Sequence, residues 1–378
     1  MVMAEEPRSA APEVGDGWTP IRPDRLSAWN SRLLNTEAHL YQYPCWNEPF
    51  RRIHFTPRYL VYGSNGEPVA YVAILQIGFW PFRIGVIKGG PISLVPKEAV
   101  SSIALNDLCV WARKRGYVFL RLSHPDSAFS DRIAELERTE RLDPFPMYPH
   151  LEYDLVVEQL DDEARMLASF QKIARSDIRN ASAVGYEIKV GDDPQFLVES
   201  WPLFERLSER KGTRIYNRPM ESYLDLVRMA REQGSVRFYM AYLNGRLVES
   251  IIVVRDGNTA HYVAGALDVE GIKGHTTASP ATLLHWNAMR DFCRLGVKYY
   301  SFGGTVFAFK KKFRPLRRDF PPPVTVIIRP LLYRIFTGIV PRLQPFGTAL
   351  RNLAARVFAK HTRSAEAPNS PSPPAGRP

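Results

Sequence analysis

An internal repeat constrains this chain more than any other feature. Tyr59 to Leu75 reads YLVYGSNGEPVAYVAIL, and Tyr239 to Val254 reads YMAYLNGRLVESIIVV. Each is an apolar strand, an Asn-Gly pair and a second apolar strand. That is the signature of a hairpin with a two-residue turn, because both turn positions need a positive φ that asparagine and glycine tolerate best. Asn65 and Asn244 stand 179 positions apart. Further on, LNDLCVWARKRGYVFLRL ends a helix at Gly116 and enters a strand, and LHWNAMRDFCRLGVKYYSF does the same at Gly296, an offset of 180. Leu105, Leu108 and Ala112 fall on one face of the first helix, and Trp286, Met289 and Cys293 on one face of the second, with glycine where a left-handed C-cap belongs. Two landmarks at one spacing predict a duplicated α/β (α+β) unit. In each copy antiparallel strands precede a helix that feeds another strand, an order that predicts a mixed sheet flanked by helices.

With 378 residues, 45% of them hydrophobic, the chain can bury two ordinary domain cores. The first 17 residues and the final SAEAPNSPSPPAGRP are small, polar and proline-rich, so both ends are expected to be disordered. The apolar stretch near 320 to 345 is interrupted by Arg329, Pro330, Arg334 and Pro341, which argues against a membrane span. No basic-then-apolar leader opens the chain, so a cytoplasmic location is expected. Three scattered cysteines (Cys45, Cys109, Cys293) fit neither a disulfide framework nor a zinc site. The net charge is +11, and residues 301 to 378 hold 14 Lys and Arg against 2 Asp and Glu. Basicity concentrated in this way points to an anionic partner, though a solvated basic tail has the same composition.

Tyr299-Tyr300-Ser301-Phe302-Gly303-Gly304, then Phe309-Lys310-Lys311-Lys312-Phe313, resemble motifs of the FemABX peptidyltransferases. So do the basic stretch Ile173 to Ala181, followed by Gly185, and the segment Trp201 to Tyr223. The resemblance spans roughly residues 35 to 320 and implies two tandem GNAT-like domains, each a mixed, mostly antiparallel sheet flanked by helices. On that reading residues 1–17 are disordered, 18–155 and 156–320 are the two domains, 321–363 is a basic amphipathic extension, and 364–378 is a disordered tail. Three departures accompany it. Ser301 stands where the family usually has an aspartate before Phe-Gly-Gly, and His124-Pro125 stands where Asp-Pro is common. No long heptad pattern marks a coiled-coil arm, so the short type is implied.

The resemblance implies transfer of an amino acid from aminoacyl-tRNA to an amine of a cell-wall or lipid-linked precursor. Such a reaction develops an oxyanion that a fixed cation stabilises well. Lys310 is the candidate. As a strand, the Phe309 to Phe313 segment would place Lys310 with Lys312 and push Lys311 inward. As a helical turn it would pair Phe309 with Phe313 and leave the lysines outward. Three successive lysines are by default a solvated charge run. Lys311, Lys312, Arg314, Arg317 and Arg318 are candidates for tRNA phosphates, with a steep salt dependence. His124, at a strand end, is the candidate general base. His261, His275 and His285 receive no role. Arg218 resembles the family arginine that grips the acceptor, where a guanidinium suits a diphosphate or carboxylate. Tyr216, Trp46 and Phe309 are candidates for lining the substrate pocket.

No resident cofactor or metal is expected. Charged tRNA and a lipid-linked or nucleotide-linked amine are the expected partners of a monomer, with the extension Val324 to Lys360 composed to lie on an anionic membrane. Two other readings remain: an acyl-CoA-dependent N-acyltransferase of cell-envelope polysaccharide synthesis, and a non-catalytic membrane-associated scaffold. The Gly-rich turn that holds the pyrophosphate of acetyl-CoA is poorly matched by its best approximation, Ile272-Lys273-Gly274-His275.

Overall fold

The computed structural model describes residues 15–78, 82–95, 99–136, 139–140, 153–158, 162–212, 218–273, 275–276, 278–304 and 308–338. The chain divides into a unit Met1–Ile328 and a unit Arg329–Pro378. In chain order the strands are β1 (Gly17–Pro20), β2 (Thr56–Ser64), β3 (Glu67–Ile77), β4 (Arg83–Lys88), β5 (Ile92–Ser93), β6 (Tyr117–Ser123) and β7 (Thr139–Glu140). They continue as β8 (Tyr153–Val157), β9 (Glu187–Gly191), β10 (Val236–Leu243), β11 (Arg246–Arg255), β12 (Thr259–Leu267), β13 (Tyr299–Ser301), β14 (Leu316–Asp319) and β15 (Val324–Ile327). One sheet runs β1-β2-β3-β4-β6-β15-β7, with β5 beside β3, and the other runs β14-β8-β13-β12-β11-β10-β9. Among the described residues only β4 with β6 and β12 with β13 pair in parallel.

The repeat holds in detail. Asn65 and Gly66 have φ of 53° and 78°, and Asn244 and Gly245 have 52° and 76°, so both hairpins turn through two left-handed residues. A register irregularity follows Tyr62 in the first hairpin and Ala241 in the second, again 179 residues apart. Helices Ser102–Lys114 and Ala281–Arg294 then carry the chain across to the parallel partner strand of each sheet. Gly116 and Gly296, at φ 81° and 76°, release the chain from them.

Strand alternation builds five layers. In β2 and β10, Tyr59, Val61, Phe238 and Met240 face a central apolar layer, while Leu60 and Tyr62 face a second core and Tyr239 and Ala241 a third. The central layer draws on both copies: Trp29, Leu33 and Tyr43 pack with Leu197, Phe204, Tyr223 and Leu226. The outer cores seat helices Ser102–Lys114 and Ser127–Ala134 on the first sheet, and helices Glu163–Ser169, Lys172–Val184 and Ala281–Arg294 on the second.

Two strands cross the expected domain limits. Tyr153 to Leu155, expected at the end of the first domain, belong to β8, which pairs with β13 and β14 in the second sheet. Val324–Ile327, expected in the basic extension, pairs with β6 in the first. Its Val324 and Val326 are buried in the outer core, so β6 gains both a hydrogen-bonded neighbour and an apolar cover. Of the extension beyond Ile328, residues 330–338 are helical, and 339–363 lie outside the described residues, as do 1–14 and the tail 364–378. No helix among the described residues is long and apolar enough to cross a membrane.

Gly296 has open space around its missing Cβ but a left-handed backbone. Gly296→Ala should therefore destabilise the protein by about 1 to 2 kcal/mol through backbone conformation alone. The expected result is a lower urea midpoint with an unchanged m-value.

Candidate functional site: two strand notches joined by a row of rings

Each parallel strand pair stops short, and the two stopping points define the site. In the first sheet the pairing runs to Lys88 and Ser123, where Gly89 N–H donates to Ser123 O at 2.7 Å. In the second it runs from Thr259 and Tyr299 to His261 and Ser301, after which β12 continues to Leu267 paired with β11 but no longer with β13. The C-terminal ends of parallel strands leave backbone groups and loops free to meet a ligand. A cleft at the first notch is lined by His39, Tyr41, Lys88, Gly89, Ser123, His124, Pro125 and Phe320. His39 joins it to the second, its ring 5.0 Å from that of His261.

Burial and partners set the state of these imidazoles. Burial pushes His124 down to about 4, and the neighbouring Asp126 does not offset it. Burial, aided by the charge of His261, pushes His39 down to about 3. Both are neutral at pH 7. His39 Nδ1 accepts from the Tyr41 N–H at 3.3 Å, and His124 Nδ1 from the Asp126 N–H at 3.0 Å. A neutral ring whose Nδ1 lone pair is engaged carries its proton on Nε2 and donates there. His261 differs: burial opposes its charge, but the Asp256 carboxylate, 2.7 Å from Nε2, raises its pKa above the usual value. Asp256 is in turn held low despite burial by His261, and accepts from the N–H groups of Leu40, Asn258 and Thr259.

Beyond His261 lies Lys310. The segment Ala308–Lys311 is a helical turn, so Phe309 and Phe313 share one side, packed around His285. Lys310 nonetheless points inward: it is 2% exposed, and its Nζ donates to Phe302 O at 2.6 Å. Burial lowers its pKa from 10.5 to about 8, against the pull of Asp154. Asp154 lies on β8 and accepts from Ser301 Oγ at 2.7 Å, and Ser301 Oγ accepts from Gly303 N–H at 3.1 Å. The carboxylate that the resemblance places at position 301 is thus one strand away.

Arg218 marks the other end of the site. It precedes helix Met220–Arg231 and is buried, with its guanidinium 5.1, 4.7 and 4.9 Å from the rings of Trp46, Phe50 and Tyr223. Its Nη1 is buried without a hydrogen-bond partner. Trp46 touches Tyr41 at 5.6 Å between centroids, and Tyr41 touches His39 at 4.4 Å. A continuous row of rings therefore runs from Arg218 through Trp46, Tyr41 and His39 to His261.

The remaining candidates divide. Phe309 is half-buried and stacks on His285, within the second outer core. Tyr216 lies outside the described residues. Lys311 and Arg314 are exposed. Lys312, expected to meet phosphate, instead bonds Asp177 at 2.9 Å and the Thr282 hydroxyl. Arg317 pairs with Asp319 at 2.6 Å and Arg318 with Glu158 at 2.8 Å, each also covering a tyrosine ring. Asp154, His39, His261 and Asp256 were missed at the sequence level. Asp154 and His261 had one usable signal, a lone polar residue inside an apolar strand.

Comparison with known proteins fits this geometry. Residues 168–311 match the model of the acetyltransferase (GNAT) domain. The fold is similar to that of FemX, with a TM-score of 0.70 over 85% of this chain and 99% of that one at 14% identity. A conserved protein of unknown function from Bacteroides thetaiotaomicron is similar at a TM-score of 0.57, over 83% of this chain and 100% of that one, at 10% identity. No curated protein matches in sequence.

Between the folded pKa of Lys310, about 8, and its ordinary 10.5, the unfolded chain binds more protons than the native one. The stability of the protein relative to Lys310→Met should therefore rise by about 3 kcal/mol as pH increases across that range. Urea melts of both proteins at several pH values read the difference.

Proposed function

We propose that this chain, which has the GNAT acyltransferase fold, transfers an aminoacyl group from charged tRNA to an amine of a cell-wall or lipid-linked precursor. One observation supports the reading: Arg218, a buried cation that meets no carboxylate among the described residues, ends the row of rings running to His261, and a second buried cation, Lys310, lies in the helical turn that follows the strand whose Ser301 pairs with His261. An uncompensated buried guanidinium is costly unless a ligand supplies the negative charge. A diphosphate or carboxylate of the acceptor does so by accepting two parallel hydrogen bonds from its fork.

At the Lys310 end the ester carbonyl of the donor takes the ammonium as its electrostatic partner. The acceptor amine attacks, the C–N bond forms, the ester C–O bond breaks, and the amine proton passes to the departing ribose oxygen. The cation counts most as charge builds on the carbonyl oxygen, in a site where little water competes. With its pKa near 8, Lys310 is still charged at pH 7. His124 and His39, neutral and protonated on Nε2, act as donors to the acceptor, so His124 is not assigned the base role expected from its position. Exposed Lys311 and Arg314 remain available to tRNA phosphates.

Purified protein is offered charged tRNA and acyl-CoA separately, each with soluble and lipid-linked amines. Consumption of the aminoacyl-tRNA alone is expected, and turnover on acyl-CoA alone would replace this reading with the CoA-dependent one. Lys310→Ala should lower kcat by roughly a hundredfold to a thousandfold with folding intact. Arg218→Lys should act mainly on the acceptor KM, and activity should decline above about pH 8 as Lys310 loses its proton. An active enzyme insensitive to both substitutions would end the proposal.

A further inference from the structure

A second cavity opens at the opposite end of β4 and β6 from the cleft. Arg83 and Tyr117 begin these strands, while Lys88 and Ser123 end them, so the two sites are roughly 17 Å apart along β4. The cavity is about 380 Å³, and its walls include Arg58, Arg83, Arg115, Trp111 and Tyr117. Pro20, Ile21, Pro23, Leu26, Pro57 and Leu60 supply an apolar side. A volume of this order suits an organic ligand rather than a bare ion.

The charges are arranged unevenly. Two arginines at the rim are compensated, Arg22 by Asp24 at 2.7 Å and Arg51 by Glu48 at 2.6 Å. Arg58, Arg83 and Arg115 meet no carboxylate among the described residues. Two of the three are held in place. Arg83 Nη1 donates to Arg115 O at 2.9 Å, at the end of helix Ser102–Lys114, and the Arg115 guanidinium lies 5.7 Å from the Trp111 ring. The three line the same cavity as Tyr117, and their charges all pull the pKa of its hydroxyl down, against the burial that raises it to about 12. That hydroxyl donates to Gln76 Oε1 at 3.0 Å, and Gln76 also lines the cavity. A second observation points the same way. Trp111 Nε1 is buried without a hydrogen-bond partner. Leaving a buried donor in that state opposes folding unless a ligand accepts from it.

We propose that this cavity is a diphosphate-binding site, in which Arg58, Arg83 and Arg115 hold the phosphoryl groups and the Trp111 indole and the proline and leucine wall pack the organic group that carries them. Three guanidinium charges exceed the roughly −1.5 to −2 of a phosphomonoester, so a diphosphate matches them better. The site lies outside the cleft assigned to acyl transfer and does not depend on that assignment. The same diphosphate chemistry can arrive on a nucleoside or on an isoprenoid.

Calorimetric titration of the full chain with inorganic pyrophosphate, ADP and geranyl diphosphate tests this. Saturable sub-millimolar binding of pyrophosphate, and tighter binding of one organic diphosphate, is expected. A preference for ADP assigns a nucleoside, and a preference for geranyl diphosphate an isoprenoid. Titrated in an Arg218→Ala background, which removes the diphosphate contact of the cleft, affinity should fall at least tenfold when Arg83→Ala/Arg115→Ala or Arg58→Glu is added. Arg58 is exposed, so its substitution leaves the fold intact if the double variant does not. No saturable binding in that background, or equal affinity when Arg58→Glu is added, would overturn the assignment.

Discussion

The apolar layer between the two sheets makes one site out of two. Each sheet alone ends its parallel strand pair in an open notch, at Ser123 in one copy and at Ser301 in the other. Trp29, Tyr43, Phe204, Tyr223 and Leu226 pack from both copies into that layer, and burial of large side chains at about 25 cal/mol per Å² holds the copies together. The same layer brings the 39–46 segment against β12, so His39 and Tyr41 reach from one notch to the other. Tyr43 adds a direct tie, its hydroxyl accepting from Gly257 N–H at 3.2 Å and donating to Leu33 O at 2.8 Å.

Against this apolar frame the polar groups of the cleft stand out as costs. Burying an ammonium at residue 310 and a guanidinium at residue 218 opposes folding, since each loses hydration that neither a backbone carbonyl nor an aromatic cage fully replaces. Asp256 and His261 show the alternative, in which two buried groups satisfy one another, the carboxylate raising the pKa of the imidazole and the imidazole lowering that of the carboxylate. Fully paired groups of that kind position neighbours, whereas Arg218, which meets no carboxylate among the described residues, can take an anionic ligand. By this criterion Lys312, which is bonded to Asp177 and Thr282, belongs to the scaffold and not to the binding surface.

Much of the fold was legible because local chemistry dictates it. Asn65-Gly66 and Asn244-Gly245 have few alternatives to a two-residue turn, and Gly116 and Gly296 few alternatives to a helix stop. The burial of Leu105, Leu108, Ala112 and Met289 followed from helical spacing. The strand exchange was not legible: the apolar character of Val324–Ile327 states that the segment is buried, and says nothing about which sheet receives it.

The site divides along the same line. Phe309-Lys310-Lys311-Lys312-Phe313 identified itself, yet three adjacent lysines read alike until packing buries the first, exposes the second and pairs the third. Ser301 looked like a lost carboxylate, and only the pairing of β13 with β8 returns one through Asp154. Sequence alone therefore determined the repeat, its turns, its helices and the class of chemistry its motifs suit, because these depend on residues close along the chain. Tertiary structure decided which histidines meet and which cations are buried. His39, His124, His261 and Lys310 are far apart in sequence, and their protonation depends on burial and on neighbours that only the packed sheets bring within reach.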